Sequence, residues 1–238
     1  MNVNPRFQRL SLLTGARVIE AFSRARVLVF GTGGVGSWAA EALVRSGIGN
    51  ISLVDSDMVE ISNINRQIQA TSLSIGKKKV EALALRLKEI NPEARIIAID
   101  RFFSNEEADF LKTAESFGIA GADYVIDAID SLESKLDLIE TAAAAGVTLF
   151  SSMGMARKLD PTLLRTVDIW ESSGCPLARL VRQGLRKRGF HGNFTVVCSS
   201  EELSPNTEKG SAVFVTAAAG MILASLVIKD IIRRENLE

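Results

Sequence analysis

Apolar residues in this chain come in short bursts separated by stretches of helical period, a pattern that predicts strands alternating with helices. Residues 27–30 (VLVF) form an unbroken run of strand length. A helical pattern opens at Ser37, Trp38 and Ala39, and residues 51–54 (ISLV) read as a second strand ending on Asp55. Val80, Leu83, Ala84 and Leu87 recur at helical spacing in a segment that starts near Ile75 and stops at Asn91-Pro92. Residues 95–99 read as a third strand, 105–117 as a surface helix, and 124–127 as a fourth strand with acids at its carboxyl end. A helix over 134–145 and a buried strand over 147–151 follow. The expected fold is α/β, a doubly wound, Rossmann-like, mainly parallel sheet. Residues 1–25 would form an N-terminal arm and helix, 26–159 a nucleotide-binding core, and 160–238 a small antiparallel extension for substrate and dimer contacts.

Between the first strand and the first helix lies GTGGVG, with Gly31, Gly33, Gly34 and Gly36. Glycines let such a turn close and let backbone N–H groups approach a phosphate, while the helix start adds partial positive charge. Asp55 stands about 20 residues further on, where a carboxylate can take ribose hydroxyls. Strand, glycine turn, helix and acid together point to a nucleotide site. The following stretch, DSDMVEISNINRQ, adds Asp57, Asn63 and the fixed cation of Arg66. A nicotinamide oxidoreductase does not need that guanidinium, whereas a site that cleaves ATP needs cations where charge builds on phosphate oxygens. Lys77, Lys78 and Lys79 crowd a predicted helix start, which opposes the helix dipole unless an anion binds nearby; the plain alternative is a solvated lysine run.

Composition narrows the chemistry. At 238 residues and 47% hydrophobic, the chain can bury a sizeable core. Lys+Arg and Asp+Glu balance at 28 each, so a polyanion must meet a local patch rather than a global field. His191 is the only histidine, which sets aside histidine triads and His-rich metal sites. Two cysteines without CxxC spacing fit a reducing compartment and argue against structural zinc. No apolar signal core opens the sequence, so a cytoplasmic location is expected.

The motifs GTGGVGS, Asp55-x-Asp57 and SNINRQ together resemble the ThiF/MoeB/HesA family of ubiquitin-activating-like adenylylating enzymes, over nearly the whole chain. The resemblance implies ATP and Mg²⁺ as cofactors and a homodimer. It places Arg9, within Arg6-Phe7-Gln8-Arg9, in the partner's ATP site, although Leu10 stands where the family usually has Gln. It also makes Lys79 a phosphate contact and Asp130 the magnesium ligand. Asp127 reads better as a cap or structural partner. The segments VIDAIDSLESK and CPLARLVRQGLRKRG look closest to the branch that adenylylates the carboxylate of threonylcarbamoyladenosine in tRNA and cyclises it. A rival within the family adenylylates the C-terminus of a ubiquitin-like sulfur carrier, and a sulfur-transfer protein is a further partner the resemblance allows. Outside it, a nicotinamide oxidoreductase and a non-catalytic tRNA-binding module are the alternatives.

Softer signals concern the acceptor. Gly154 with Arg157 and Lys158 suggests a substrate pocket at a strand mouth, with a plain loop as the alternative. Arg179, Arg182, Arg186, Lys187 and Arg188 recur at helical spacing and would make one cationic face for tRNA phosphates. Cys175 and Cys198 have no neighbour that would activate a thiol, so structural roles are expected. Residues 204–211 read as a mobile loop. The apolar run 212–228 is borderline for a bilayer span and rich in Ala and Gly. It is expected to pack in the core or on a dimer partner, with membrane association as the minor alternative.

Overall fold

The computed structural model describes residues 3–105, 109–202, 208 and 210–237. Seven strands form one sheet: β1 (Arg26–Phe30), β2 (Asn50–Val54), β3 (Arg95–Ile99), β4 (Tyr124–Asp127), β5 (Thr148–Ser152), β6 (Leu164–Asp168) and β7 (Thr195–Ser199). Their order is β3-β2-β1-β4-β5-β7-β6, parallel throughout except for the β6–β7 pair. The expected antiparallel extension is therefore a continuation of the main sheet, because β7 pairs in parallel with β5. The chain winds outward from β1 to β3 and then returns to place β4 on the other side of β1. Open α/β sheets bind ligands outside the carboxyl ends of strands at such a reversal.

Among the described residues, eight α-helices cover the sheet: α1 (Gln8–Thr14), α2 (Ala16–Arg24), α3 (Gly36–Arg45), α4 (Lys79–Ile90), α5 (Phe110–Ser116), α6 (Leu132–Ala144), α7 (Pro176–Lys187) and α8 (Val213–Leu237). Successive strand residues go to opposite faces. Val27 and Val29 join Leu43, Leu83 and Leu223 in one core, and Leu28 and Phe30 join Phe103, Phe117 and Leu136 in the other. Both faces being buried is why the central strands β1 and β4 read as apolar runs, whereas β3, at the sheet edge, is apolar yet half-buried to exposed. Phe30, Phe103 and Phe117 pack as an aromatic trio with centroids 5.0 to 6.0 Å apart.

Some boundaries differ from the sequence reading. The helix expected over 105–117 begins at Phe110, because Asp109 caps it by accepting from the Leu111 and Lys112 amides; 106–108 lie outside the described residues. Most of the expected loop at 204–211 also lies outside them. The three lysines do not share a helix start. Lys78 is the extended N-cap residue of α4, paired with Asp100 at 3.0 Å, and only Lys79 is helical.

The apolar C-terminal run is the inner part of α8, a helix long and apolar enough to cross a membrane, which here lies against α3. Val215, Ala219, Leu223, Val227 and Ile231 recur every four residues and are buried. Tyr124 Oη donates to Asp230 at 2.9 Å and fixes the far end of the helix. At Gly220 a Cβ would stand 2.4 Å from the Val35 carbonyl and 2.9 Å from the Ala39 amide. Glycine is what lets α8 press onto the start of α3, so a Gly220→Val variant is expected to lose about 3 kcal/mol of stability by overpacking. Urea unfolding measures this, and an unchanged midpoint would contradict the α3–α8 contact.

Candidate functional site

The glycine turn sits at the reversal point, between the ends of β1 and β4. Gly31 adopts φ +82°, and a Cβ there would lie 2.7 Å from the Ala128 carbonyl; one on Gly36 would lie 1.8 Å from the Gly31 carbonyl. These two glycines are required for the chain to cross itself. Gly33 is different: nothing approaches its Cβ position closer than Gln67 Nε2 at 3.8 Å. It presents open backbone beside the start of α3, where its own carbonyl takes the Ser37 amide at 3.1 Å and the helix start adds partial positive charge. Gly34 is flanked by the Arg66 stem and Thr216 of α8, each 3.3 Å from where its Cβ would stand.

Asp55, at the end of β2, fastens this turn. Its Oδ2 accepts from the Thr32 amide at 2.7 Å and the Thr32 hydroxyl at 3.1 Å, and Oδ1 accepts from the Asp57 amide at 2.9 Å. A carboxylate offers about four acceptor positions, so capacity remains for a hydroxyl donor. Gln69 supports the other side of the turn and escaped the sequence reading. Its Nε2 donates to the Thr32 carbonyl at 2.8 Å and to Gln67 Oε1 at 3.3 Å. The only available signal was its place two residues beyond the SNINRQ glutamine.

The crossover from Asp55 to α4 carries the predicted cations. Arg66 Nη1 donates to the Ser62 carbonyl at 2.9 Å and Asn65 Oδ1 at 3.0 Å, while the Trp38 indole donates to the Arg66 carbonyl at 2.9 Å. The Arg66 stem thus lies beside Gly34, with the guanidinium held by Ser62 and Asn65. Lys79 is buried, and its Nζ pairs with Asp57 Oδ2 at 2.7 Å. Its charge is already held by the second acid of the DxD pair. Asn63 is turned inward: Oδ1 accepts from the Glu60 amide at 3.2 Å, and Glu60 and Asn63 form a capping box around a short 3₁₀ turn. It shapes the crossover rather than pointing at the glycine turn.

At the end of β4, Asp127 and Asp130 separate cleanly. Asp127 is fully buried against Lys135, whereas Asp130 is exposed beyond the turn that touches Gly31. Among the described residues no three His, Cys, Asp or Glu side chains converge into a metal cage. A single free carboxylate beside a phosphate cradle suits magnesium, which commonly binds one or two carboxylates plus substrate phosphates.

Arg9 lies elsewhere. It is exposed on α1, and Phe7 at the head of that helix packs over Gly47, before the amino end of β2. The glycine turn is at the carboxyl ends, a strand length of about 16 Å away, so Arg9 does not serve its own chain's turn. Arg157 is exposed in the left-handed region, φ +63°, its amide bonded to the Gly210 carbonyl at 2.9 Å. Lys158 departs from the expected substrate-pocket role. Only 2% of it is exposed, and its ammonium donates to the Glu201 carbonyl.

The five-residue cationic face on α7 is also smaller than expected. Arg188 turns away to Glu133, Asp137 and Glu140, each at 2.7 Å. Arg179 and Arg186 are exposed, Arg182 is half-buried and bonded to the Ser172 hydroxyl, and Arg186 stacks over Trp170 at 5.4 Å. Leu177 and Cys175, at the head of α7, lie 3.5 and 3.7 Å from where a Gly154 Cβ would stand. That end of α7 therefore adjoins the loop after β5. Both cysteines are free and buried, and burial, the largest influence, pushes the Cys198 thiol up; neither is a ready nucleophile.

A doubly wound sheet whose reversal point carries a phosphate turn, a flanking guanidinium and an exposed carboxylate defines a nucleotide-dependent enzyme class. The ThiF family model matches residues 7–237, and the chain belongs to that family. It is similar to tRNA threonylcarbamoyladenosine dehydratase of Bacillus subtilis, 37% identical over 95% of this chain and 94% of that protein. The Escherichia coli protein of the same name is 38% identical over 90% of this chain and 80% of its own length. Crystal structures of the Escherichia coli enzyme, TcdA, align with a TM-score of 0.90: the ATP complex at 34% identity over 100% of both chains, and the AMP complex at 35% over 97% and 96%. An adenylyltransferase and sulfurtransferase uba4 from Ogataea parapolymorpha matches 57% of this chain and 33% of its own length, at 35% identity.

Because Asp55 holds the turn through Thr32, an Asp55→Ala variant is expected to weaken nucleotide binding by about tenfold or more, the scale of losing charge-assisted hydrogen bonds. Calorimetric titration checks this; an unaltered affinity would contradict the arrangement.

Proposed function

We propose that the chain is an ATP-dependent enzyme that adenylylates the carboxylate of N6-threonylcarbamoyladenosine in tRNA and then closes the ring, with net loss of water. The observation that carries this reading is the end-to-end likeness, at 34% identity, to the ATP-bound TcdA structure. The uba4 likeness, by contrast, is confined to 57% of this chain and does not favour the sulfur-carrier alternative.

The residues divide the work as follows. Gly33 and the head of α3 cradle phosphate, and Asp55 takes ribose with its remaining acceptor capacity. Arg66 and Lys79 offset charge on the triphosphate as the substrate carboxylate attacks the α-phosphorus and pyrophosphate leaves. Asp130 would hold Mg²⁺, which when bound neutralises phosphate charge. The acyl-adenylate is then attacked by a nitrogen of the same modified group, and AMP departs with the carboxylate oxygen. No general base of pKa near 7 is called for, since the leaving group and positioned cations drive both steps. Arg157 and the exposed Arg179 and Arg186, with half-buried Arg182, are assigned to tRNA phosphate.

Arg9 supports a homodimer in this reading. Lying a strand length from its own glycine turn, it reaches the catalytic centre of a two-fold partner. A cytoplasmic location and, as a further partner the family resemblance allows, a sulfur-transfer protein complete the proposal.

The test is incubation with Mg-ATP and threonylcarbamoylated tRNA, followed by mass analysis of the nucleoside. Loss of one water, dependent on ATP, is expected; an unchanged nucleoside would overturn the reading. In the same assay Arg9→Ala and Arg66→Ala should each be inactive alone and regain activity when mixed, as subunits exchange. No recovery on mixing would contradict the role of Arg9 across the dimer.

A further inference from the structure

Lys135, on the first turn of α6, is 0% exposed and lies outside the cations discussed so far. A buried ammonium is tolerated only when its donors are matched. Here all three can be: Asp127 Oδ2 at 2.6 Å, the Ser152 carbonyl at 3.1 Å and Ser151 Oγ at 3.4 Å. Ser151 spends its own proton on Asp127 Oδ2 at 2.6 Å, which leaves its lone pairs for the lysine. One side chain thus joins α6 to the carboxyl ends of β4 and β5.

The other oxygen of Asp127 serves the turn after β4. Its Oδ1 accepts from the Ile129 amide at 3.0 Å and so bends the chain straight after β4. Within that bend the Ala128 amide donates to the Phe30 carbonyl at 2.8 Å, and the Ala128 carbonyl is the atom that leaves no room for a side chain at Gly31. Asp130 is the next residue but one after Ala128. Fixing the strands does not require charge, because β4 and β5 are already in parallel register from Tyr124↔Thr148 to Asp127↔Ser151. A hydrophobic pair would hold them without burying ions. What the bend needs is an acceptor committed in two directions, and Lys135 keeps one oxygen of Asp127 in place while the other holds Ile129.

The geometry points to Lys135 as a positioning residue that, through Asp127, sets the turn carrying Asp130 and seats Gly31 for metal–nucleotide binding. The inference rests on the proposed role of Asp130 as the magnesium-holding carboxylate. It assigns Lys135 no contact with substrate.

The test measures the affinity of a non-hydrolysable ATP analogue with EDTA and with Mg²⁺, and takes the ratio as the magnesium gain. Removing one partner alone would strand a buried charge, so the variant is the double Lys135→Met/Asp127→Asn, which keeps an oxygen for Ile129. Thermal unfolding verifies that it folds. The double variant should lose about tenfold of the magnesium gain, read as the ratio of its own two affinities, the scale seen when a partner behind a metal ligand is removed. Asp130→Asn should abolish the gain. If Asp130→Asn abolishes it and the double variant keeps it whole, Lys135 has no positioning role and the reading of Asp130 stands. If Asp130→Asn itself keeps the gain, the reading of Asp130 fails and this inference fails with it. Should the double variant not fold, Ser151→Ala, which leaves both charges, takes its place: a reduced gain supports the inference and a full gain overturns it.

Discussion

Two backbone segments meet with no room between them at the centre of this molecule, and everything at the site depends on that closeness. The Ala128 carbonyl stands 2.7 Å from where a Cβ on Gly31 would be, so the ends of β1 and β4 touch directly. A larger residue at Gly31 would push the phosphate turn away from the bend that leads to Asp130. The same economy recurs behind the turn, where Gly220 lets α8 press on the start of α3 and Thr216 reaches Gly34. The open backbone at Gly33 is therefore the exposed part of a tightly supported structure. Preorganisation of this kind lets hydrogen bonds act on developing charge without first rearranging.

The charges are arranged with equal restraint. Lys79 is held by Asp57, Arg66 by the carbonyl and amide oxygens of Ser62 and Asn65, and Asp127 by Lys135. Asp130, by contrast, is an exposed carboxylate at the same end of the sheet. Ions fixed by neighbours lose little conformational freedom when a phosphate arrives, which favours binding of a polyanion despite balanced overall charge. Asp57 holds Lys79, so the phosphate contact proposed for this lysine requires that pair to open.

Much of this was legible in the sequence, for physical reasons. Strands buried on both faces show as unbroken apolar runs, and β1, β2 and β4 were placed within a residue or two. The glycine spacing, the acid after β2 and Arg66 were readable because each serves local backbone geometry. Long-range pairings left no local trace. Lys158 reads as a substrate-pocket cation beside Arg157, and nothing near it in sequence tells of Glu201. Arg188 stands nine residues after Arg179, half a turn round the helix from it, and its partners Glu133, Asp137 and Glu140 lie on a helix some fifty residues earlier that the α6–α7 packing brings alongside. Asp127 was read as structural, but its partner Lys135 was passed over, since a lysine on a helical turn ordinarily signals solvent.

The central claim is that the glycine turn and its cations serve cleavage of ATP at the α-phosphorus by a carboxylate. Single-turnover reaction of threonylcarbamoyladenosine-bearing tRNA labelled with ¹⁸O in that carboxylate measures this directly. The account predicts that the AMP released carries one labelled oxygen and that pyrophosphate carries none. Label appearing in inorganic phosphate or in water, with unlabelled AMP, would contradict it.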